Sequence, residues 1–370
     1  MASYIVKKKS TALIKKLYFP IISLAAAMSI GSLIIIATGK NPIDAYRIML
    51  NGGFGSFAAW DQTMVKAIPF MFTGLSYAIA KRCGIINLGA EGQFKIGALC
   101  AAIIGVSFSN LPMIIHLPLT LFAGFFGGAL YSLIVAVLKL RFGASELITT
   151  IMLNYVATNI VSFFVTGPIK DSASSSYPQT AVMAEGAQLP RLFRGSYRIH
   201  FGFLIVILAL VLYYIFLWKT TKGYELRVVG LNQTAGKYAG MSIKKSTLLS
   251  MFLAGGFAGI GGAIEIIAVQ YRLMQTSFSV SYGFTGIAVA LLGNNNPLGI
   301  FLSGVLFGGL QSGSAKMQAL VKVDSSIASV IQALVILFFA GRALFQWKKK
   351  SKTSLENIEG NQNLSEEGIV

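Results

Sequence analysis

Gly84-Ile-Ile-Asn-Leu-Gly-Ala-Glu-Gly-Gln93 is a polar, glycine-rich decapeptide lodged between two apolar runs, each long enough to enter a bilayer. Backbone outside a helix, together with an Asn, a Glu and a Gln, is tolerated at membrane depth only where protein or a water-filled cavity surrounds it. The stretch reads as a break in a pore-lining helix, and Asn87, Glu91 and Gln93 as candidates for a translocation path.

Outward from this break the chain is apolar. Of its 370 residues 55% are hydrophobic and 12% charged, where a soluble domain carries roughly 25% charged residues. Apolar runs lie at 18–38, 64–81, 92–109, 115–138, 145–166, 201–218, 246–269, 283–293, 297–313 and 326–343, mostly near the ~20 residues that cross a bilayer as a helix. The expected fold is all-α, a polytopic transmembrane helix bundle of about ten spans. The stretch from Pro118 to Leu130 matches that from Pro297 to Leu310 with one inserted residue, a weak two-fold internal repeat of the kind transporter bundles carry. Gly124/Gly128, Gly255/Gly259, Gly304/Gly308 and Gly309/Gly313 have the spacing of four that lets helix backbones touch.

The net charge is +18, and its distribution decides its meaning. Lys7, Lys8, Lys9, Lys15 and Lys16 precede the first run, and Arg342, Lys348, Lys349, Lys350 and Lys352 follow the last. With an even number of spans both ends share a side with Lys81–Arg82, Lys139–Arg141 and Lys219–Lys245, the cytoplasmic one by the positive-inside rule. Expected are a basic cytoplasmic N-terminus at 1–17, a transmembrane domain at 18–343 and a disordered cytoplasmic tail at 344–370, in a multi-pass plasma-membrane protein. The first run is too long for the core of a signal peptide. No basic groove interleaved with aromatics is present, which excludes nucleic-acid binding.

Three connections stand apart. Asn41-Pro42 pairs an N-cap with a proline at the first helical position and predicts a short helix through Leu50, with Phe54, Phe57 and Trp60 placed for an interfacial belt. Residues 167–200 form an outside loop, long enough to be a docking surface or disordered. Residues 219–245 face the cytoplasm, and small and apolar residues between Gly230 and Gly240 predict a short surface helix that another protein can approach closely. The run at 283–293 is short for a span and ends at Asn294-Asn-Asn-Pro297. That is either a tight turn, the reading we take, or a helix interrupted near the midplane.

Ionisable residues inside spans are functional candidates because each costs roughly 2.5–3.5 kcal/mol at a helix centre. They are Lys66, Glu91, Lys95, Glu146 and Glu265. Glu91 and Lys95 are four apart and form an ion pair on a helix face, either fixing helix orientation or serving the path. Glu146 suits a helix N-terminus. Thr150, Asn154 and Thr158 repeat every four residues as a polar stripe that either bonds neighbouring helices or lines the path. No phosphate-binding Gly-Lys-Ser/Thr loop and no dinucleotide fingerprint occurs. His116 and His200 stand alone, and Cys83 and Cys100 have no metal-ligand spacing, so neither catalysis, metal nor cofactor is expected.

Four stretches together resemble the membrane permeases of ATP-binding-cassette importers in the branched-chain amino acid, ribose and nucleoside group, in particular the nucleoside or simple-sugar branch. They are Gly84–Gln93, Glu146–Tyr155, Gly230–Gly240 and Gly286–Gly299, in family order. The resemblance implies a permease without ATPase activity of its own. It implies a second permease subunit, a cytoplasmic ATP-binding-cassette ATPase and an extracytoplasmic solute-binding lipoprotein as partners. It implies ATPase docking at Gly230, Leu231, Asn232, Tyr238, Ala239 and Gly240, and a path bordered by Asn87 to Gln93. Gly236 stands where a second alanine is usual and Lys95 where the family pattern is apolar. A nucleoside is the solute the branch implies, with ribose or another simple sugar as the alternative. An ion-coupled secondary transporter, which would also use broken helices and an intramembrane glutamate, is a third reading.

Overall fold

Helices form over the apolar runs, and at Asn41, Ser56, Thr220, Asn232 and Ser242 a short polar side chain caps the start of one. The computed structural model describes residue 22 and residues 25–338, apart from 109, 173–176, 194, 196, 276, 279, 328, 335 and 336. The expected N-terminal segment 1–17 and tail 344–370 lie outside the described residues. The helices are α1 (Ala25–Ala37), α2 (Pro42–Phe54), α3 (Phe57–Arg82), α4 (Ala90–Ser107), α5 (Met113–Phe142), α6 (Glu146–Thr166), α7 (Gly202–Lys219), α8 (Thr221–Leu231), α9 (Gln233–Tyr238), α10 (Ile243–Glu265), α11 (Tyr282–Leu292) and α12 (Pro297–Val321). Asn41 opens α2 as expected, its Oδ1 accepting the Ile43 N–H at 3.0 Å, and the helix runs to Phe54 rather than Leu50.

Among the described residues six helices are long and apolar enough to cross a bilayer: α3, α5, α6, α7, α10 with the π-turn that follows it, and α12. The remaining runs differ for physical reasons. Glu91, Gln93 and Lys95 dilute the apolar character of α4, and α11 has only 11 residues, about 16 Å of helix against a hydrocarbon core near 30 Å. The first run is described from residue 25, and the last is helical at 329–334.

Buried α3 forms the centre, with α10, α11 and α12 against it, and α4, α5 and α10 pack mutually beside them. The glycine pairs act as their spacing predicts. On α5, Gly124 and Gly128 meet Gly255 and Gly259 of α10 backbone to backbone, while Gly308 of α12 faces Thr63 and Ala67 of α3. Gly309 and Gly313 receive Phe54 and Met49 of α2. A Cβ at most of these positions would meet main-chain atoms, so dispersion contacts between backbones replace the side-chain packing of a soluble core.

The Asn294–Pro297 connection is a turn. Asn294 and Asn295 adopt φ of 53° and 52°, and beyond them the chain folds back, with Ser303 Oγ donating to Val289 O at 2.7 Å. The real discontinuity lies on the other side of α11. After Glu265 the chain forms a π-turn over Ile266–Gln270, turns at Tyr271 with φ 57°, and is non-helical at every described residue before Tyr282. A half-length helix thus begins inside the bundle.

The loop expected at 167–200 is packed where it is described. Met183 N–H donates to Tyr271 O at 2.9 Å and Leu189 N–H to Ile267 O at 3.0 Å, while Ala184 N–H meets Gly105 O at 3.1 Å. It thereby covers the π-turn and the end of α4. Asp61 at the start of α3 holds the loop's return, accepting the N–H groups of Arg198 and Ile199 at 2.8 Å each.

His200, buried at that return, has its pKa lowered to about 4, because burial outweighs the pull of Asp61. A free imidazole titrates near 6.5, so between about 4 and 6.5 the opened segment binds the proton that the closed one refuses, and closure weakens as pH falls. At pH 5 this amounts to about 2 kcal/mol. Hydrogen exchange at Arg198 and Ile199, corrected for intrinsic rate, should accelerate about 20-fold between pH 7 and pH 5. His200→Asn should lose that response, and an unchanged acid response in the variant would assign it elsewhere.

Candidate functional site

The decapeptide is a break, as its composition demands. α3 ends at Arg82, Gly84 turns the chain with φ 82°, and α4 resumes at Ala90. Gly89 brings no side chain to cap the new helix, so the cap comes from α6. Asn154 Oδ1 accepts the Gly92 N–H at 2.8 Å, and its Nδ2 donates to Leu88 O at 2.9 Å. One amide answers an orphan donor of the helix start and a carbonyl of the loop.

Asn87 and Gln93 bond each other reciprocally, Asn87 Nδ2 to Gln93 Oε1 at 3.0 Å and Gln93 Nε2 to Asn87 Oδ1 at 3.1 Å. Asn87 Oδ1 also accepts the Gly89 N–H at 3.0 Å, and its Nδ2 lies 3.3 Å from Ser76 Oγ. Both residues are buried. In this conformation they pin the break shut.

Glu91 joins three elements. Its Oε1 pairs with Lys95 Nζ at 3.2 Å, the i, i+4 pair expected, and its Oε2 accepts the Gly283 N–H at 2.7 Å. Gly283 is the second residue of α11, so the carboxylate sits where the dipole of the half-helix favours negative charge. Lys95 also donates to Thr158 Oγ1 at 3.1 Å, tying α4 to α6. Thr158 is exposed, while buried Thr150 returns its hydroxyl to Glu146 O at 2.6 Å and packs on Gly89. The six candidates therefore lie around the break: Asn87 bonds Gln93, Glu91 reaches Thr158 through Lys95, Asn154 holds the main chain of the break, and Thr150 bonds its own helix. Glu146 begins α6 and pairs with Lys139 at 2.8 Å, whereas Ser145 makes no side-chain cap.

A second cluster was half legible. Glu265, singled out as an intramembrane acid, accepts from Gln270 Nε2 and from the Tyr282 hydroxyl, each at 3.3 Å. Around Tyr282 stand Phe70 at 5.4 Å and Phe94 at 5.3 Å between ring centroids, with Phe278 5.6 Å from Phe94. The aromatics are drawn from three separate stretches, and only the non-helical segment 271–281 brings them together. Toward the loop side, a cavity of about 250 Å³ opens beside the π-turn, lined by Gln62, Lys66, Arg191, Arg198 and Tyr271 among others. Among the described residues no group of acids, His and Cys is arranged to hold a metal ion.

At the opposite end, α9 is the short helix expected between Gly230 and Gly240, and α8 precedes it. Asn232, extended at φ −155°, ends one and caps the other, its Oδ1 accepting the Ala235 N–H at 3.1 Å. Leu231 and Tyr238 are 89% and 90% exposed, and Gly240 turns away from the surface helix with φ 76° and open space around it. Gly230 is the inward contact. Its Cα lies against the main chain of Arg82 and Cys83, and a Cβ on Gly84 would meet Gly230 O at 3.2 Å. Through Gly230, α8 thus rests directly on the break between α3 and α4.

These features define a multi-pass membrane protein with a broken helix and a half-helix meeting at its centre. The chain belongs to the family described as the branched-chain amino acid transport system / permease component, which matches residues 60–340. It is 36% identical over 329 residues to the guanosine ABC transporter permease protein NupP of Bacillus subtilis, covering 88% of this chain and 93% of that one. Identity to the nucleoside ABC transporter permease protein NupB of Lactococcus lactis is 32% over 338 residues, 90% and 93% of the two chains. The glucose ABC transporter permease protein TsgB13 of Haloferax volcanii is 33% identical over 336 residues, 88% of each. The chain is thus a transport protein of the ATP-binding-cassette permease class.

Proposed function

We propose that this permease forms the path for a nucleoside, with ATP hydrolysed by a separate cytoplasmic subunit bound at α8 and α9. The observation that carries the solute class is the aromatic group Phe70, Phe94, Phe278 and Tyr282 beside Glu265 and Gln270. Stacking on a base is worth about 1–3 kcal/mol, and an acid with an amide suits the polar edge of a nucleobase. Two of the relatives above are nucleoside permeases. A sugar is the second reading, favoured by the 33% identity to the glucose permease.

In this reading residues 167–200 face outward, 219–245 and both termini face the cytoplasm, and the four runs short of a full apolar helix complete ten passages. A second permease subunit and an extracytoplasmic solute-binding lipoprotein complete the importer. The two-fold repeat stays a proposal resting on the sequence match, although Pro297 opens α12 while Pro118 lies within α5. Asn87, Glu91, Gln93, Thr150, Asn154 and Thr158 border the path. Their bonded state here is one of two access states, and ATP binding exchanges the partners through the Gly230–Gly84 contact.

The test is solute-stimulated ATP hydrolysis by the assembled complex with guanosine, adenosine, uridine, ribose and glucose. Stimulation by the nucleosides and by neither sugar is expected. Stimulation by glucose or ribose alone would replace the nucleoside reading with the sugar one.

A further inference from the structure

Where α3, α7, α8 and the Asn294–Pro297 turn meet, two guanidinium groups share one indole. Arg82 lies 5.3 Å and Arg227 5.9 Å from the Trp218 ring centroid. Arg82 Nη2 donates to Asn295 O at 3.1 Å, but Arg82 Nε and Arg227 Nε are buried without a partner, as is Asn295 Oδ1. With Lys81 these side chains line a cavity of about 300 Å³. Glu91, Glu146 and Glu225 are ion-paired elsewhere, with Lys95, Lys139 and Lys222. The cations at this cavity are answered by none of them. Like charges held close around a half-enclosed space favour an anion.

One residue along the turn, a second space begins. Asn296 and Pro297 open an apolar groove of about 610 Å³ between α7 and α12, walled by Leu210, Tyr214, Leu298 and Phe301. Leu298 is exposed on its rim. A groove of this character next to a cluster of unneutralised arginines matches an amphiphile, with the anionic part among the cations and the chain along the helices. A partner's carboxylate would answer the charge and leave the groove without an occupant.

We propose that this is a site for an anionic phospholipid of the leaflet on the α8 side. Its phosphate is held by Arg82, Arg227 and Lys81, and one acyl chain lies between α7 and α12. Asn295 Oδ1, an unpaired acceptor, faces a headgroup that carries hydroxyls, as phosphatidylglycerol does.

The test is native mass spectrometry and lipid titration on the full chain in mild detergent, with phosphatidylglycerol, phosphatidylcholine and inorganic phosphate as separate probes. Phosphatidylglycerol should bind the wild type at least tenfold more tightly than phosphatidylcholine. Arg82→Gln with Arg227→Gln should abolish that preference, and Leu298→Trp, which fills the groove from an exposed position, should weaken both lipids without altering phosphate. Should the arginine pair fail to fold, Lys81→Gln combined with Leu298→Trp reads the same two contributions. Equal binding of both lipids to the wild type would overturn the proposal. So would competition by millimolar phosphate with no effect of Leu298→Trp, which marks a site for a free anion. Loss of the lipid on adding the ATPase, with hydrolysis undiminished, would assign the cations to a partner's carboxylate.

Discussion

Leu231→Asp with Tyr238→Asp will abolish ATPase association while leaving the permease folded. Both side chains are almost wholly exposed, at 89% and 90%, so their replacement removes no internal packing and should shift the thermal midpoint by no more than a surface change does. Large apolar and aromatic groups that stand free on a short, capped helix pair are the kind of anchor that dominates an interface, each costing about 2 kcal/mol or more when lost. Two charges placed there add desolvation cost, and the affinity for the ATPase should fall more than about 100-fold. The measurement is co-purification with the ATPase and titration by interferometry. Wild-type affinity in the double variant would remove α9 from the docking surface. Gly240, by contrast, is in open space, and its replacement should cost only the ~1–2 kcal/mol of a left-handed residue.

Asn87→Leu is expected to be among the most damaging single changes in the bundle. It strips Gln93 Nε2 and the Gly89 N–H of a partner at once and leaves the Ser76 hydroxyl with Gln93 Oε1 at 3.4 Å, in a place no solvent reaches. At about 1–3 kcal/mol for each buried group left unsatisfied, the loss is about 3 kcal/mol or more. Removing both partners should hurt less than the sum, since Asn87→Leu with Gln93→Leu leaves neither amide stranded. Thermal unfolding in a lipid nanodisc reads the cycle. Strict additivity of the two single changes would show that the reciprocal pair does not hold the break. Uptake normalised to folded protein then separates pin from path, because a path residue lowers it further than stability explains.

Local chemistry made the break at Gly84–Gln93 visible, since glycine and polar side chains that interrupt an apolar run are costly in lipid unless protein or water surrounds them. The Asn41 cap and the glycine pairs at spacing four were legible for the same reason, each being a pattern contained within one turn of helix. Asn154 was visible only as one residue of a polar stripe. Its partner at Gly92 is 62 residues away, and nothing local says that a helix start lacking a side-chain cap will borrow one. The bond from Glu91 to Gly283 spans 192 residues, so sequence offered Lys95 as the partner, and the run at 283–293, short for a span, stood unconnected to the carboxylate. Asn294 to Pro297 read as a turn because Asn and Pro announce one, and a turn is what forms there. The true opening at 271–281 is built from ordinary residues held by the packed loop, and leaves no compositional mark.

In the proposed mechanism a surface that binds an ATPase is coupled to a path that takes a nucleoside, through Gly230 lying on Gly84. The most direct measurement is uptake of radiolabelled guanosine into proteoliposomes holding the complete importer, with and without ATP, for the wild type and for Leu231→Asp with Tyr238→Asp. Such coupling requires ATP-dependent accumulation in the wild type, suppressed by excess unlabelled nucleoside and lost in the double variant. Guanosine uptake that proceeds equally without ATP, or survives in the variant at the wild-type rate, would contradict it.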